Sequence, residues 1–315
     1  MTLGLRQLRY FIAIVDAGAL SRASETLSIA QSALSHHVAE LEAELGVKLL
    51  ERRARGVVAT APGRRLYEHA SAILIALGKA EIDVKTFTEV ASGPVSVGLS
   101  HTAIEVMSLE LMQLARKSCP DVLLTIVEGL SSNLIEQTLA GGLDFAVAYN
   151  PPKDSRLDCR PVLEEDLYLV GRPEIIGRSR APIAFADIPQ GEVLGLNTVQ
   201  ASRAIIQSQI LRNQITPSAT LELDSLNAMR KALKAGLGCS ILARSTVASE
   251  LLQGSIHARR IVKPELKRTM NIVCLADRPR TRAFTAIQDV LKQVIGAVVQ
   301  AGQWPARLIE RKRAG

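Results

Sequence analysis

Aromatic side chains are scarce: they make up 3% of the 315 residues, with a single tryptophan. The core must therefore be aliphatic. No apolar run reaches the ~18–20 residues that a membrane span requires, so no membrane partner is expected. Met1 to Tyr10 carries Arg6 and Arg9 but no following apolar core with a cleavage site, which is not the pattern of a secretory signal. The four cysteines, Cys119, Cys159, Cys239 and Cys274, lie far apart and lack paired metal-ligand spacing. They read as small buried hydrophobes of a reducing compartment, so the cytoplasm is the expected location and no metal or other cofactor is expected. Enzyme signatures are missing as well. There is no Walker-type glycine loop, no complete dinucleotide fingerprint and no Gly-x-Ser-x-Gly elbow. Gly236-Leu237-Gly238 is only a fragment, and it follows a helical segment instead of a strand. The histidines, His36, His37, His69, His101 and His257, have no Asp or Cys partner at motif spacing. A doubly wound α/β enzyme is thereby disfavoured.

What the chain does have is positive charge, net +7 with a pI near 9.4. Such a balance favours polyanionic partners. The length fits two or three domains, and the 47% hydrophobic content is that of a globular protein.

Three short helices are expected in the first 60 residues. Leu8, Phe11, Ile12 and Val15 recur at helical spacing, and Gly18 stops that run. Ser21 is placed to cap the second helix, through Ala23 and Leu27. The third starts near Gln31, buries Leu34, Val38, Leu41 and Leu45 as one stripe, and ends at Gly46. The short turn between the second and third is that of a helix-turn-helix. Extended runs at Val47–Glu51 and Val57–Thr60 flank Arg52, Arg53, Ala54, Arg55 and Gly56, a hairpin with a basic tip. Thr60 then caps a long helix. Along it Leu66, Ala70, Ile73, Leu77, Ala80, Val84 and Phe87 alternate steps of four and three, a heptad seam that predicts pairing across a dimer. Ser92, Gly93 and Pro94 close it.

From Val95 onward strands alternate with helices. Strands are expected at Val95–Leu99, Leu123–Glu128, Phe145–Tyr149, Leu167–Gly171, Val193–Leu196, Thr220–Leu223, Cys239–Leu242 and Asn271–Leu275. Such alternation argues for α/β units with largely parallel sheets. The basic tail, Arg307 to Arg313, reads as a solvated end.

The third helix, projected at ~100° per residue, turns Ser32, Ser35, His36, Ala39 and Ala43 away from its buried stripe. A helix lying in the major groove needs such a face, with little bulk and with donors and acceptors for base edges. Gln31 and Ser32 open the helix, where free amides suit a phosphate. Arg52, Arg53 and Arg55 are placed for phosphates or a narrow minor groove. The plain alternative is a solvated amphipathic helix. The short turn, the basic hairpin and the seam helix together weigh against it.

The runs Leu5–Phe11, Ala30–Ser35 and Leu41–Arg52 resemble the signature of the LysR-type regulators. Glu128-Gly129, Leu139–Asp144 and Ala235–Gly238 are similar to the family's sensor lobes. Ile14–Asp16, Arg55–Val57 and Glu165–Gly171 look closest to its nitrogen assimilation control branch. His36-His37 departs from the family, which often has an arginine or glutamine pair there; His36 reads equally as a base contact and as a solvated side chain.

The resemblance implies a multidomain protein: a winged helix-turn-helix (1–60), a linker dimerisation helix (61–91) and a two-lobed α/β module like periplasmic binding proteins. Lobe 1 comprises 92–163 and 267–301, lobe 2 comprises 164–266, and 302–315 form the tail. It also implies double-stranded operator DNA with an inverted repeat, self-association as a dimer or dimer of dimers, RNA polymerase as a partner, and a small effector. Ligands of open α/β sheets sit at the carboxyl ends of strands. That rule selects Ser100, His101, Thr102, Ser131, Asn150, Asn197, Thr198, Ser202 and Arg203, a set suited to a carboxylate or other small anion. Ser131 reads equally as a helix cap, and Ser132 reads as one. A free ligand-binding or transport protein would share the lobes but lack residues 1–91.

Overall fold

The computed structural model describes residues 3–53, 56–85, 90–189, 193–196, 221–223, 225–278 and 280–309. The chain forms two compact units, one built on Met1–Phe87 and the other on Thr88–Leu139 and Leu143–Gly315.

In the first unit, α1 (Leu5–Ala17), α2 (Leu20–Leu27) and α3 (Gln31–Leu45) surround Phe11, Ile14, Ala23, Leu34 and Leu41. Gly18 (φ 62°) and Gly46 (φ 68°) end α1 and α3 in the left-handed conformation. Ser21 does not cap α2. Ala19 is the N-cap, without a side-chain bond, because the turn from α1 is short enough to put Ser21 inside the first helical turn. The hairpin pairs β1 (Leu50–Arg53) with β2 (Gly56–Ala59) antiparallel, Arg53 opposite Gly56. Arg52 and Arg53 thus belong to a strand, and the first strand begins later than Val47. The Leu49 and Leu50 amides are bound by Glu42, and the ladder opens with Leu50 opposite Ala59. The Val57 amide donates to the Gly18 carbonyl at 2.8 Å. A Cβ at Gly56 would collide with that same oxygen, which requires glycine there. The long helix α4 (Ala61–Lys85) is capped by Thr60, whose hydroxyl accepts from the Gly63 amide at 3.0 Å.

The second unit opens with a parallel β-α-β-α-β run: β3 (Gly93–Ser100), α5 (His101–Ser118), β4 (Val122–Gly129), α6 (Ser131–Leu139) and β5 (Phe145–Tyr149). Then β6 (Leu157–Gly171) runs 15 residues out of one lobe into the next. Lobe 2 contains α7 (Pro173–Ile176), β7 (Ile183–Ala184), β8 (Leu194–Leu196), β9 (Leu221–Leu223), α8 (Leu226–Ala235), β10 (Ser240–Ala243), α9 (Ala248–Leu252) and β11 (His257–Val262). The chain returns through β12 (Lys267–Leu275), α10 (Arg282–Gln300) and β13 (Arg307–Leu308).

The expectation of largely parallel sheets is corrected here. β6 pairs antiparallel with β10, β11, β12 and β13. A strand that crosses between lobes without a break meets its partners coming back. Lobe 1 packs α5 and α10 on one sheet face around Met107, Leu111 and Leu291, with Phe145 edge-on to Phe284 at 5.2 Å. Lobe 2 buries Leu169, Ile241 and Ile261 on one face and Val170, Met229 and Leu242 on the other. The tail is not simply solvated: Trp304 is 1% exposed, and β13 pairs with Leu163 and Glu164.

Candidate functional site

The outer face of α3 is open. Gln31, Ser32, His36, Ala39 and Ala43 are exposed, and Ser35 is half-buried. His36, 71% exposed, lies 3.2 Å from Glu40, a carboxylate His37 also reaches at 3.3 Å. Glu40 thus already engages the His36 ring on the open face. Arg53 is 64% exposed and, among the described residues, has one loose contact, 3.5 Å to Glu51. The Arg52 side chain and Arg55 lie outside the described residues.

The wing is held to α3 by Glu42. Its buried carboxylate accepts from the Leu49 amide at 2.8 Å, the Leu50 amide at 3.1 Å and the Lys48 ammonium at 2.6 Å. Burial pushes its pKa up, but the bonds from Lys48 and the two amides outweigh burial, and the net shift is down.

In the second unit the predicted effector residues gather at strand ends. Ser100 ends β3 and is 5% exposed. It occupies the N-cap position of α5 without capping it, and its hydroxyl has no partner among the described residues. His101 lies 2.5 Å from Glu128 at the end of β4. Thr102 is buried and reaches Thr246 of lobe 2 at 3.2 Å. Ser131 is the first residue of α6 and does not cap it; its hydroxyl accepts from the Tyr149 amide at 3.0 Å. Asn150 (φ 43°) accepts from the Thr269 amide at 2.9 Å and fastens β5 to β12. Asn197, Thr198, Ser202 and Arg203 lie outside the described residues.

Beneath Thr102 lies a buried polar cluster. Glu165 on β6, 1% exposed, accepts from Arg268 on β12 (2.8 Å and 2.9 Å), the Tyr149 hydroxyl (2.5 Å), the Trp304 indole (2.9 Å) and Ser245 of lobe 2. Burial pushes the Tyr149 phenol well above its ordinary pKa, which keeps its proton on and its role that of donor. The Arg268 guanidinium also stacks over the Tyr149 ring, 3.8 Å from its centroid. Arg230 on α8 clasps Glu105 on α5 and donates to the Thr246 carbonyl at 2.9 Å, a second link between the lobes. Arg268 and Glu165 neutralise each other.

Residues 5–64 match the bacterial regulatory helix-turn-helix protein, lysR family, and residues 88–296 match the LysR substrate binding domain. The chain is a LysR-type DNA-binding transcription regulator. It is 31% identical over 294 residues to the nitrogen assimilation regulatory protein Nac of Klebsiella aerogenes, spanning 93% of this chain and 95% of that one. Similarity at 31% over 306 residues to Nac of Escherichia coli (96% and 99%) supports the same branch. Among solved structures, a full-length OxyR variant from Pseudomonas aeruginosa superposes with TM-score 0.67 at 25% identity, covering 93% of this chain and 95% of that one. Full-length CbnR complexed with its target DNA gives 0.65 at 22% identity (93% and 100%), which speaks for the fold.

Within this LysR-type regulator, sequence reasoning missed Glu42, Glu165, Arg268, Arg230 and the part played by Trp304. One signal was available. A lone tryptophan in an aromatic-poor chain seldom sits in a solvated tail.

Proposed function

We propose that this regulator binds an inverted-repeat operator as a dimer, alone or as a dimer of dimers, and that a small anionic effector, a carboxylate above all, sets promoter activity from the cleft between the sensor lobes. Ser100 carries the effector reading: its hydroxyl is buried, unpaired among the described residues, and stands at the start of the 18-residue α5. Leaving such a group unsatisfied costs about 1–3 kcal/mol. A carboxylate oxygen would satisfy it together with the helix amides. Thr102, two residues on, already meets Thr246 of the other lobe, so a ligand here acts where the lobes join. His101 is the next contact, in competition with Glu128. Asn197, Thr198, Ser202 and Arg203 are the proposed contacts of lobe 2. A ligand that prefers one lobe arrangement shifts the population toward it.

On DNA, Gln31, Ser32, Ser35 and His36 face base edges or the phosphates beside them, and Arg52, Arg53 and Arg55 take phosphates. The apolar seam of α4 supports the dimer, with Ile73 46% and Val84 77% exposed in the single chain. The working division is 1–60 for DNA, 61–91 for pairing, 92–163 with 267–301 for lobe 1, 164–266 for lobe 2 and 302–315 for the tail. The protein acts in the cytoplasm, without catalysis, and contacts RNA polymerase at its promoters.

Selection of genomic fragments on the purified protein should recover a shared inverted repeat. Calorimetric titration with amino acids, organic acids and inorganic anions then tests the cleft. A ligand whose affinity drops at least tenfold in Ser100→Ala, and which alters operator binding, supports the effector reading. Silence across the panel, or binding indifferent to Ser100→Ala, overturns it.

A further inference from the structure

We infer that lobe 2 holds an oxyanion site of its own, separate from the interlobe cleft. A cavity of about 280 Å³ lies beside β6, β11 and the turn after α9, and all its lining residues fall between Tyr168 and Arg260. Among the described residues, none from lobe 1 enters it and no Asp or Glu lines it. Three guanidiniums and an imidazole do: Arg180, Arg244, Arg260 and His257.

The charges there are only partly compensated. Arg260 gives a terminal nitrogen to Asp166 at 3.1 Å and to Glu265 at 3.0 Å, which anchors the group. Its Nε and the His257 Nδ1 are buried and have no hydrogen-bond partner among the described residues. Arg180 and Arg244 have no carboxylate partner among the described residues; Arg244 lies 5.8 Å from the centroid of the Tyr168 ring. Unmatched buried donors are costly, and neighbouring cations repel one another. One small oxyanion relieves both, accepting from the buried nitrogens while the exposed arginines close over it. Leu251, Ile256 and Ala258 supply an apolar wall. The volume falls just below the ~300–1,000 Å³ usual for small-molecule pockets, so the ligand is short: a small carboxylate or a free phosphate.

The site has a path to the hinge. Tyr168 lies three residues beyond Glu165 on β6, and the Arg260 anchor Asp166 is the residue next to Glu165. An anion in lobe 2 therefore braces the strand that joins the lobes.

The test is calorimetric titration of the full-length protein with butyrate and with inorganic phosphate at constant chloride. The wild type is compared with Ser100→Ala and with the Arg180→Gln/Arg244→Gln double variant, whose altered side chains are exposed. Saturable binding of either probe that weakens at least tenfold in the double variant and survives Ser100→Ala establishes the site. Which probe binds assigns carboxylate or phosphate. No saturable binding of either probe overturns the proposal. So does binding that the double variant leaves unchanged, and binding lost in Ser100→Ala alone belongs to the cleft and also overturns it.

Discussion

The two units of this regulator hold the polar groups that matter to the proposal in opposite places. In the DNA-binding unit they face solvent: Gln31, Ser32 and His36 are exposed, and Arg53 has one loose partner among the described residues. In the sensor the polar groups that join the lobes are buried and tied to one another, with Glu165 surrounded by donors from β5, β12, the tail and lobe 2. A surface that meets a polyanion gains by leaving its donors free. A joint between lobes needs a fixed resting geometry, and satisfied buried polar groups provide one. The fold of the first unit should therefore tolerate single substitutions on its exposed face, and that of the second should not tolerate the loss of a buried partner.

That contrast can be broken by experiment. The largest effect is expected from Glu165→Ala, which strands the buried Arg268. The sensor should lose about 3–5 kcal/mol, read by chemical denaturation through Trp304, the chain's sole tryptophan. An unchanged midpoint would place the cluster outside the stabilising core.

Glu42→Gln comes next, at about 1–3 kcal/mol in the first unit. Its pH dependence has a definite sign. The folded carboxylate titrates below its ordinary value of 4.5. Its stabilisation is therefore complete above that value and is lost as pH falls through the lowered folded pKa. Melts of wild type and variant should differ at neutral pH and converge in acid; a gap that persists in acid would mean that shape, not charge, holds the wing.

On the open face the effects shrink and change kind. Ser35→Ala or His36→Ala should weaken selected operators by about 1–3 kcal/mol for a bidentate base contact, less for a single bond, and leave random DNA alone. Arg53→Ala should weaken both DNAs alike and lower the salt slope by about one unit. Sequence-dependent loss in Arg53→Ala would move the wing from phosphates to bases.

The same contrast explains what could be read in advance. The limits of α3, from Gln31 to the Gly46 cap, follow from periodicity and a glycine, and β5 follows from a short apolar run. The first half of β6 escaped notice because Arg160, Pro161, Glu164, Glu165 and Asp166 interrupt its hydrophobic pattern. Each has local compensation. Arg160 pairs with Asp158 at 2.8 Å, Lys267 with Glu164 at 3.4 Å, and Pro161 sits at the register shift beside Asn271, where a missing amide is tolerated. β11 was hidden likewise by Arg259 and Arg260. The place of Ser100 at the end of β3 was legible because strand ends are local features. The Glu165–Arg268 pair was not, since its members stand 103 residues apart and no periodicity connects them.

That separation also orders events during synthesis. Glu165 leaves the ribosome 103 residues before Arg268 and 139 before Trp304. At ~5–20 residues per second, the second interval is roughly 7–28 s. Throughout it a nascent chain holds a carboxylate whose burial requires partners not yet made. The hinge is therefore the last part of the sensor to set, and a chain stopped short of Trp304 would lack the closing donor however well its lobes had formed.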